Sequence, residues 1–133
     1  MGGPGADAAS GGATKRAVVL VDHGSRAPEA HAVLDEMAAR LRRRLPGRIV
    51  EVAHLELAPP SLADAIARCV AAGAREVVVH PYFLAPGTHA GRDVPAQAAE
   101  AARRHPGLRV RVTEPLGAHE GIVDAIVERI DRA

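Results

Sequence analysis

Aromatic side chains are almost missing from this 133-residue chain: Tyr82 and Phe83 are the only two, and tryptophan is absent. Single-stranded nucleic acid is usually held on repeated aromatic platforms, so that class of partner is disfavoured. Charge of one sign is lacking as well. Lysine and arginine number 17 against 16 aspartate and glutamate, with the signs interspersed, which leaves no basic stripe for a duplex. Cysteine occurs once, at Cys69, which excludes an internal disulfide and a four-cysteine metal site within one chain. That count suits a reducing, cytoplasmic setting. No apolar run approaches the roughly 20 residues that cross a bilayer. The opening stretch MGGPGADAASGGATKR also lacks the basic start and apolar core of a secretory signal, so neither a membrane nor a nucleic acid is expected as partner.

What the chain does have is short aliphatic runs and small residues, enough for one α/β domain built mainly from Ala, Val, Leu and Ile. Residues 1–16 read as a flexible leader of glycine and small polar residues, with the folded domain over 17–133. Ala17 to Val21 is a β-branched run suited to a strand covered on both faces. Val33, Leu34, Met37, Leu41 and Leu45 then mark a helix ending near Pro46-Gly47. The same unit recurs, with a strand from Ile49 to Leu55 and a helix carrying Leu62, Ile66 and Val70. A third strand runs from Glu76 to His80 and is halted by Pro81. Asp93 is expected to cap a helix reaching Arg104; Leu108, Val110 and Val112 form a fourth strand, and Ile122, Ile126 and Ile130 are expected to face inward from a last helix. Four strand-helix units in succession predict a single four-stranded parallel sheet flanked by helices, with ligands beyond the strands' carboxyl ends.

Several residues that bear chemistry fall at those ends. His23 follows the first strand in Asp22-His23-Gly24-Ser25-Arg26; it is suited to bind a borderline metal or accept a proton, or else to hydrogen-bond the turn beside Ser25. Asp22 is placed to orient its ring, and Arg26 offers a planar donor fork for a carboxylate. Glu56 follows the second strand, as a metal-neutralising or proton-carrying carboxylate or as an anchor for the loop through Pro59-Pro60. His89 lies in the loop Gly87-Thr88-His89-Ala90-Gly91, where glycines let a backbone approach a broad ligand, although a structural role in that loop is also open. Tyr82, Phe83 and Leu84 supply an apolar wall for a flat ligand. His80, directly before Pro81, is a reserve metal ligand. Ordinary packing or solvent exposure accounts for His31, His54, His105 and His119.

The segments VDHGSR at Val21–Arg26, HLELAPPSL at His54–Leu62 and HPYFLAPGTHAGRDVP at His80–Pro95 resemble, in order and spacing, the small CbiX/SirB-like sirohydrochlorin chelatases of the class II chelatase group. LGAHEG at Leu116–Gly121 adds a weaker fourth match, and the resemblance runs from about Ala17 to Asp131. It implies a chelatase half-domain that inserts Fe2+ or Co2+, with Ni2+ also open, into sirohydrochlorin or a related tetrapyrrole. His23 and His89 become the metal-binding and proton-accepting pair, with Glu56 assisting delivery or deprotonation. Ser25, Arg26, Tyr82, Phe83, Leu84 and Arg92 become candidates for contacting substrate. The divalent ion is a substrate, and no resident cofactor is implied. Small members of the family pair two copies, so a homodimer is expected. His80 departs from the family, which usually carries a smaller residue there.

Two other classes compete. A non-catalytic metal or tetrapyrrole carrier would bind without accelerating insertion. A phosphotransfer or phosphatase domain would also use a histidine after a parallel strand, yet neither a full glycine-rich phosphate loop nor an arginine-histidine-glycine run is present.

Overall fold

The computed structural model describes residues 15–85, 87 and 90–133, so His89 and most of the expected leader lie outside the described residues. Four strands and four helices alternate along the chain. They are β1 (Lys15–Asp22), α1 (Pro28–Arg44), β2 (Ile49–His54), α2 (Leu62–Ala71), β3 (Ala74–Pro81), α3 (Ala90–Arg104), β4 (Arg109–Val112) and α4 (Glu120–Asp131). All pairings are parallel, in the order β2-β1-β3-β4. The α/β architecture with a four-stranded parallel sheet is therefore as the sequence predicts. β1 opens at Lys15, two residues ahead of its aliphatic run.

Alternation along the strands divides the core between the two faces. Val19, Val21, Val77 and Val79 point to one side and pack with Leu62, Ala65, Ile66 and Cys69 of α2 and with Val94, Ala98 and Ala101 of α3. Alanine at the helix contacts lets the backbones come close to the sheet, which is how a core with two aromatic residues still closes. The opposite face is thinner, with Leu20 and Val50 beneath Leu34 and Ala38 of α1. Its β3–β4 half is polar. Glu76 there meets Arg16 of β1 at 3.8 Å and Arg111 of β4 at 3.5 Å.

Local signals account for the helix ends. Ser61 accepts a hydrogen bond from the Asp64 amide at 3.1 Å and so caps α2. Pro28 opens α1, where a missing amide hydrogen costs nothing, while the Ser25 hydroxyl accepts from the Ala27 amide at 2.9 Å. Pro81 ends β3 as expected, but pairing resumes one residue later through the Tyr82 amide to the Val21 carbonyl at 2.6 Å.

Two sequence expectations are corrected. Helix α3 starts at Ala90, so Asp93 lies inside its first turn instead of capping it, and Pro95 sits within the helix. The expected inward face of α4, with Ile122, Ile126 and Ile130, is not covered: the helix buries no residue, Ile122 is only half-buried, and Ile126 and Ile130 are 54% and 65% exposed. Its apolar spacing is genuine, but α2 and α3 fill one sheet face, while α1 and the Glu76 ion pairs occupy the other.

Candidate functional site

The strand order sends the chain from β1 outward to β2 and then back across to β3, so the loops after these three strands meet at one edge of the sheet. A cavity of about 260 Å³ opens there, bordered by His23 after β1, Leu55 and Glu56 after β2, and Ala90 and Asp93 at the start of α3. His23 and Glu56, assigned from sequence, are thus brought to one cavity, and both are exposed to it.

The two turns that carry them fit tightly. Gly24 has φ +104° and its backbone lies against that of Glu56, where a built Cβ would stand 1.8 Å from the Glu56 carbonyl oxygen. Only glycine satisfies both conditions. The next residue after Glu56, Leu57, has φ +75°, an uncommon backbone for a branched side chain and one that tends to collect at functional turns. The Leu55 amide donates to the Asp22 carbonyl at 3.0 Å, extending the β1–β2 ladder to the cavity rim.

Phe83 stacks on the His23 ring, with centroids 4.4 Å apart and planes inclined by 29°. An apolar face of this kind restricts the imidazole's rotation and leaves its nitrogens as its polar edge. Tyr82, the neighbouring aromatic, projects to the opposite sheet face and packs against the Leu20 and Leu34 cluster. Leu84 is 55% exposed. The expected three-residue wall is therefore divided, with Phe83 against the His23 ring and Tyr82 on the other face. A smaller recess of about 100 Å³ lies beyond it, lined by Pro81, Phe83, Val94 and Val112 among others. The Leu116 and Gly117 amides donate to the Phe83 and Leu84 carbonyls at 3.1 and 2.8 Å, which ties the fourth sequence motif to this loop.

Other sequence candidates take different positions. Asp22 does not hold the His23 ring, because its Oδ1 accepts from His54 Nδ1–H at 2.6 Å. Arg26 and Arg92 are exposed. The Ser25 hydroxyl is engaged by the Ala27 amide. His80 shares a register position with Leu20, on the α1 side of the sheet. Its Nδ1–H donates at 2.7 Å to the Thr113 hydroxyl, which donates onward to the Glu114 carbonyl at 2.9 Å. Burial lowers the His80 pKa below the ordinary histidine value, favouring the neutral ring. His80 is not among the residues bordering the cavity. His119 Nδ1 accepts from the Gly121 amide at 2.8 Å and caps α4.

Asp93 is the cavity residue that sequence reasoning passed over. Its signal was available as helical spacing: Ala90 and Asp93, three apart in the first turn of α3, share a side of the helix. Among the described residues no group of three His, Cys, Asp or Glu side chains is arranged to hold a metal ion together.

The sequence pattern of the family described as CbiX matches residues 17–133. The chain is 42% identical to the chloroplastic sirohydrochlorin ferrochelatase of Arabidopsis thaliana over 113 residues, which cover 85% of this chain and 50% of that protein. It is 32% identical to the sirohydrochlorin cobaltochelatase of Methanococcus maripaludis, covering 85% of this chain and 96% of that one. Among solved structures, the sirohydrochlorin chelatase SirB of Bacillus subtilis subspecies spizizenii in complex with cobalt superposes with a TM-score of 0.82 at 30% identity. That match covers 90% of this chain and 51% of the other. The chain thus spans about half the length of two of these relatives and nearly all of the third.

Proposed function

The chain belongs to the CbiX family, and from that membership we propose that it is a sirohydrochlorin chelatase, inserting Fe2+ or Co2+ into the macrocycle. One observation carries the reading: His23 and Glu56, from the ends of adjacent strands, border the same open cavity, with Phe83 stacked behind the imidazole. Insertion of a dication requires two pyrrole N–H protons to leave. A neutral imidazole and a carboxylate are bases able to accept such protons and donors able to hold the incoming ion. His89 is the second histidine of this chemistry, an assignment supported by its Gly-Thr-His-Ala-Gly context. Arg26 and Arg92, exposed near the rim elements, are the proposed contacts for peripheral carboxylates, and Phe83 and Leu84 for the flat ring.

Size bears on the assembly. Cavities that enclose even drug-sized ligands run to roughly 300–1,000 Å³, so about 260 Å³ accommodates the metal and one edge of a tetrapyrrole. The remainder of the ring needs a second wall. A second copy of the chain supplies it in this reading, consistent with the half-length match to the longer ferrochelatase. A homodimer is therefore part of the proposal.

The test is anaerobic absorption spectroscopy of sirohydrochlorin with Fe2+, Co2+ and Ni2+ in turn. Folded protein should accelerate conversion to the metallated spectrum, and comparison of the three rates identifies the preferred ion. Binding of the macrocycle without acceleration would instead establish a carrier. His89→Ala should lose most insertion activity while melting cooperatively, and wild-type turnover in that variant rejects its role.

A further inference from the structure

Within the aliphatic interior one polar side chain stands out: among the described residues His54 is the buried polar or charged group, at 4% exposure. It is the register partner of Asp22 on the last rung of the β1–β2 pairing. Its Nδ1–H donates to Asp22 Oδ1 at 2.6 Å, and its own amide donates to the Pro60 carbonyl at 2.9 Å. From α1, the His31 ring lies 4.7 Å from that of His54, centroid to centroid, and its Nε2–H donates to the Ser25 carbonyl. Replacing a buried polar pair by apolar residues of similar volume is often neutral or favourable for stability, so stability alone does not account for such a pair.

Its location does. Asp22 immediately precedes His23, and His54 lies two positions before Glu56. Asp22–His54 ties the ends of the two strands together, the Gly24 and Glu56 backbones lie against each other just beyond, and His31 braces the far limb of the His23 turn. We infer that Asp22, His54 and His31 are positioning residues, whose joint function is to set the separation at which His23 and Glu56 face a shared ion. This rests on the reading of those two groups as metal-handling. Outer partners of metal ligands act in this way by holding a ligand's orientation before the ion arrives.

Co2+ is the probe, because its visible absorption reports both affinity and coordination geometry without tetrapyrrole. In His54→Phe, which keeps a ring in the core, Co2+ affinity should fall about 10- to 100-fold. The visible band should change shape and kcat should fall, while cooperative melting and the KM for sirohydrochlorin persist. His54→Asn restores a donor near the Nδ1 position and should recover affinity to within a few-fold of wild type. A folded His54→Phe protein with wild-type Co2+ affinity and band shape overturns the inference. Should His54→Phe fail to fold, His31→Leu, at a partly exposed helical position, removes the brace on Ser25, and a several-fold loss of affinity is expected. Unchanged affinity there overturns the inference equally. A wild-type chain that takes up Co2+ but never metallates sirohydrochlorin defeats the chelatase reading alone, whereas one that takes up no Co2+ defeats both.

Discussion

Helices α2 and α4 carry similar apolar periodicities and meet opposite fates. Leu62, Ala65, Ile66 and Cys69 of α2 are fully covered by the sheet and by α3. Val123, Ile126, Val127 and Ile130 of α4 also follow helical spacing, yet all four are exposed. Periodicity therefore states which side of a helix is apolar, while coverage depends on which sheet surface is still vacant. In the proposed homodimer, the open apolar face of α4 is the surface on which the second copy would rest.

That contrast can be broken most forcefully in α2. Ile66→Ala removes methyl groups from a site with no solvent access and should cost about 2–5 kcal/mol, measured by urea denaturation of the folded chain. A loss no greater than at exposed positions would mean that α2 is not the principal packed helix.

Cys69, on the same buried side, sharpens the comparison through pH. Burial, assisted by the nearby Glu51 carboxylate, pushes its thiol from 9.0 up to about 12. The folded state thus holds this proton more tightly than the unfolded chain. Its contribution to stability is complete below about pH 9 and is lost progressively as pH rises toward 12. Urea midpoints should decline over that alkaline range, with a shallower decline in Cys69→Ala. Thiol-specific reagents should label Cys69 slowly in the folded protein and rapidly once it is denatured.

The smallest effect on the fold is expected in α4. Ile126→Ser with Ile130→Ser should change single-chain stability by about 0.5 kcal/mol or less per site, because neither side chain is covered. The informative measurement is mass in solution, where the double variant should shift a dimer toward monomer. A dimer that persists unchanged would place the mutual contact on another surface.

Much of the architecture was legible because its signals are local. The Val18-Val19-Leu20-Val21 and Val77-Val78-Val79 runs have the β-branched character of covered strands, and Ser61 and Pro28 mark helix starts by their own chemistry. His23 and Glu56 were found for the same reason, each following a strand that announces itself. The divided aromatic wall was less visible: Tyr82 and Phe83 continue the strand's alternation past Pro81, so adjacent residues reach opposite faces. Asp93 was passed over because placing the helix start there hid its spacing from Ala90. Nothing local connects Asp22 to His54, 32 residues away, since that pair exists only through strand register.

From the amino-acid order alone came the strand-helix alternation, the extent of the domain resembling the chelatases, and the histidine and carboxylate at strand ends; each follows from backbone preference and hydrophobic period over a few residues. Only the tertiary structure decided that β1 lies between β2 and β3, that His23 and Glu56 share one cavity with Asp93, and that α4 remains uncovered. Those outcomes depend on competition among distant segments for the two faces of one sheet, and no short stretch of sequence contains that competition.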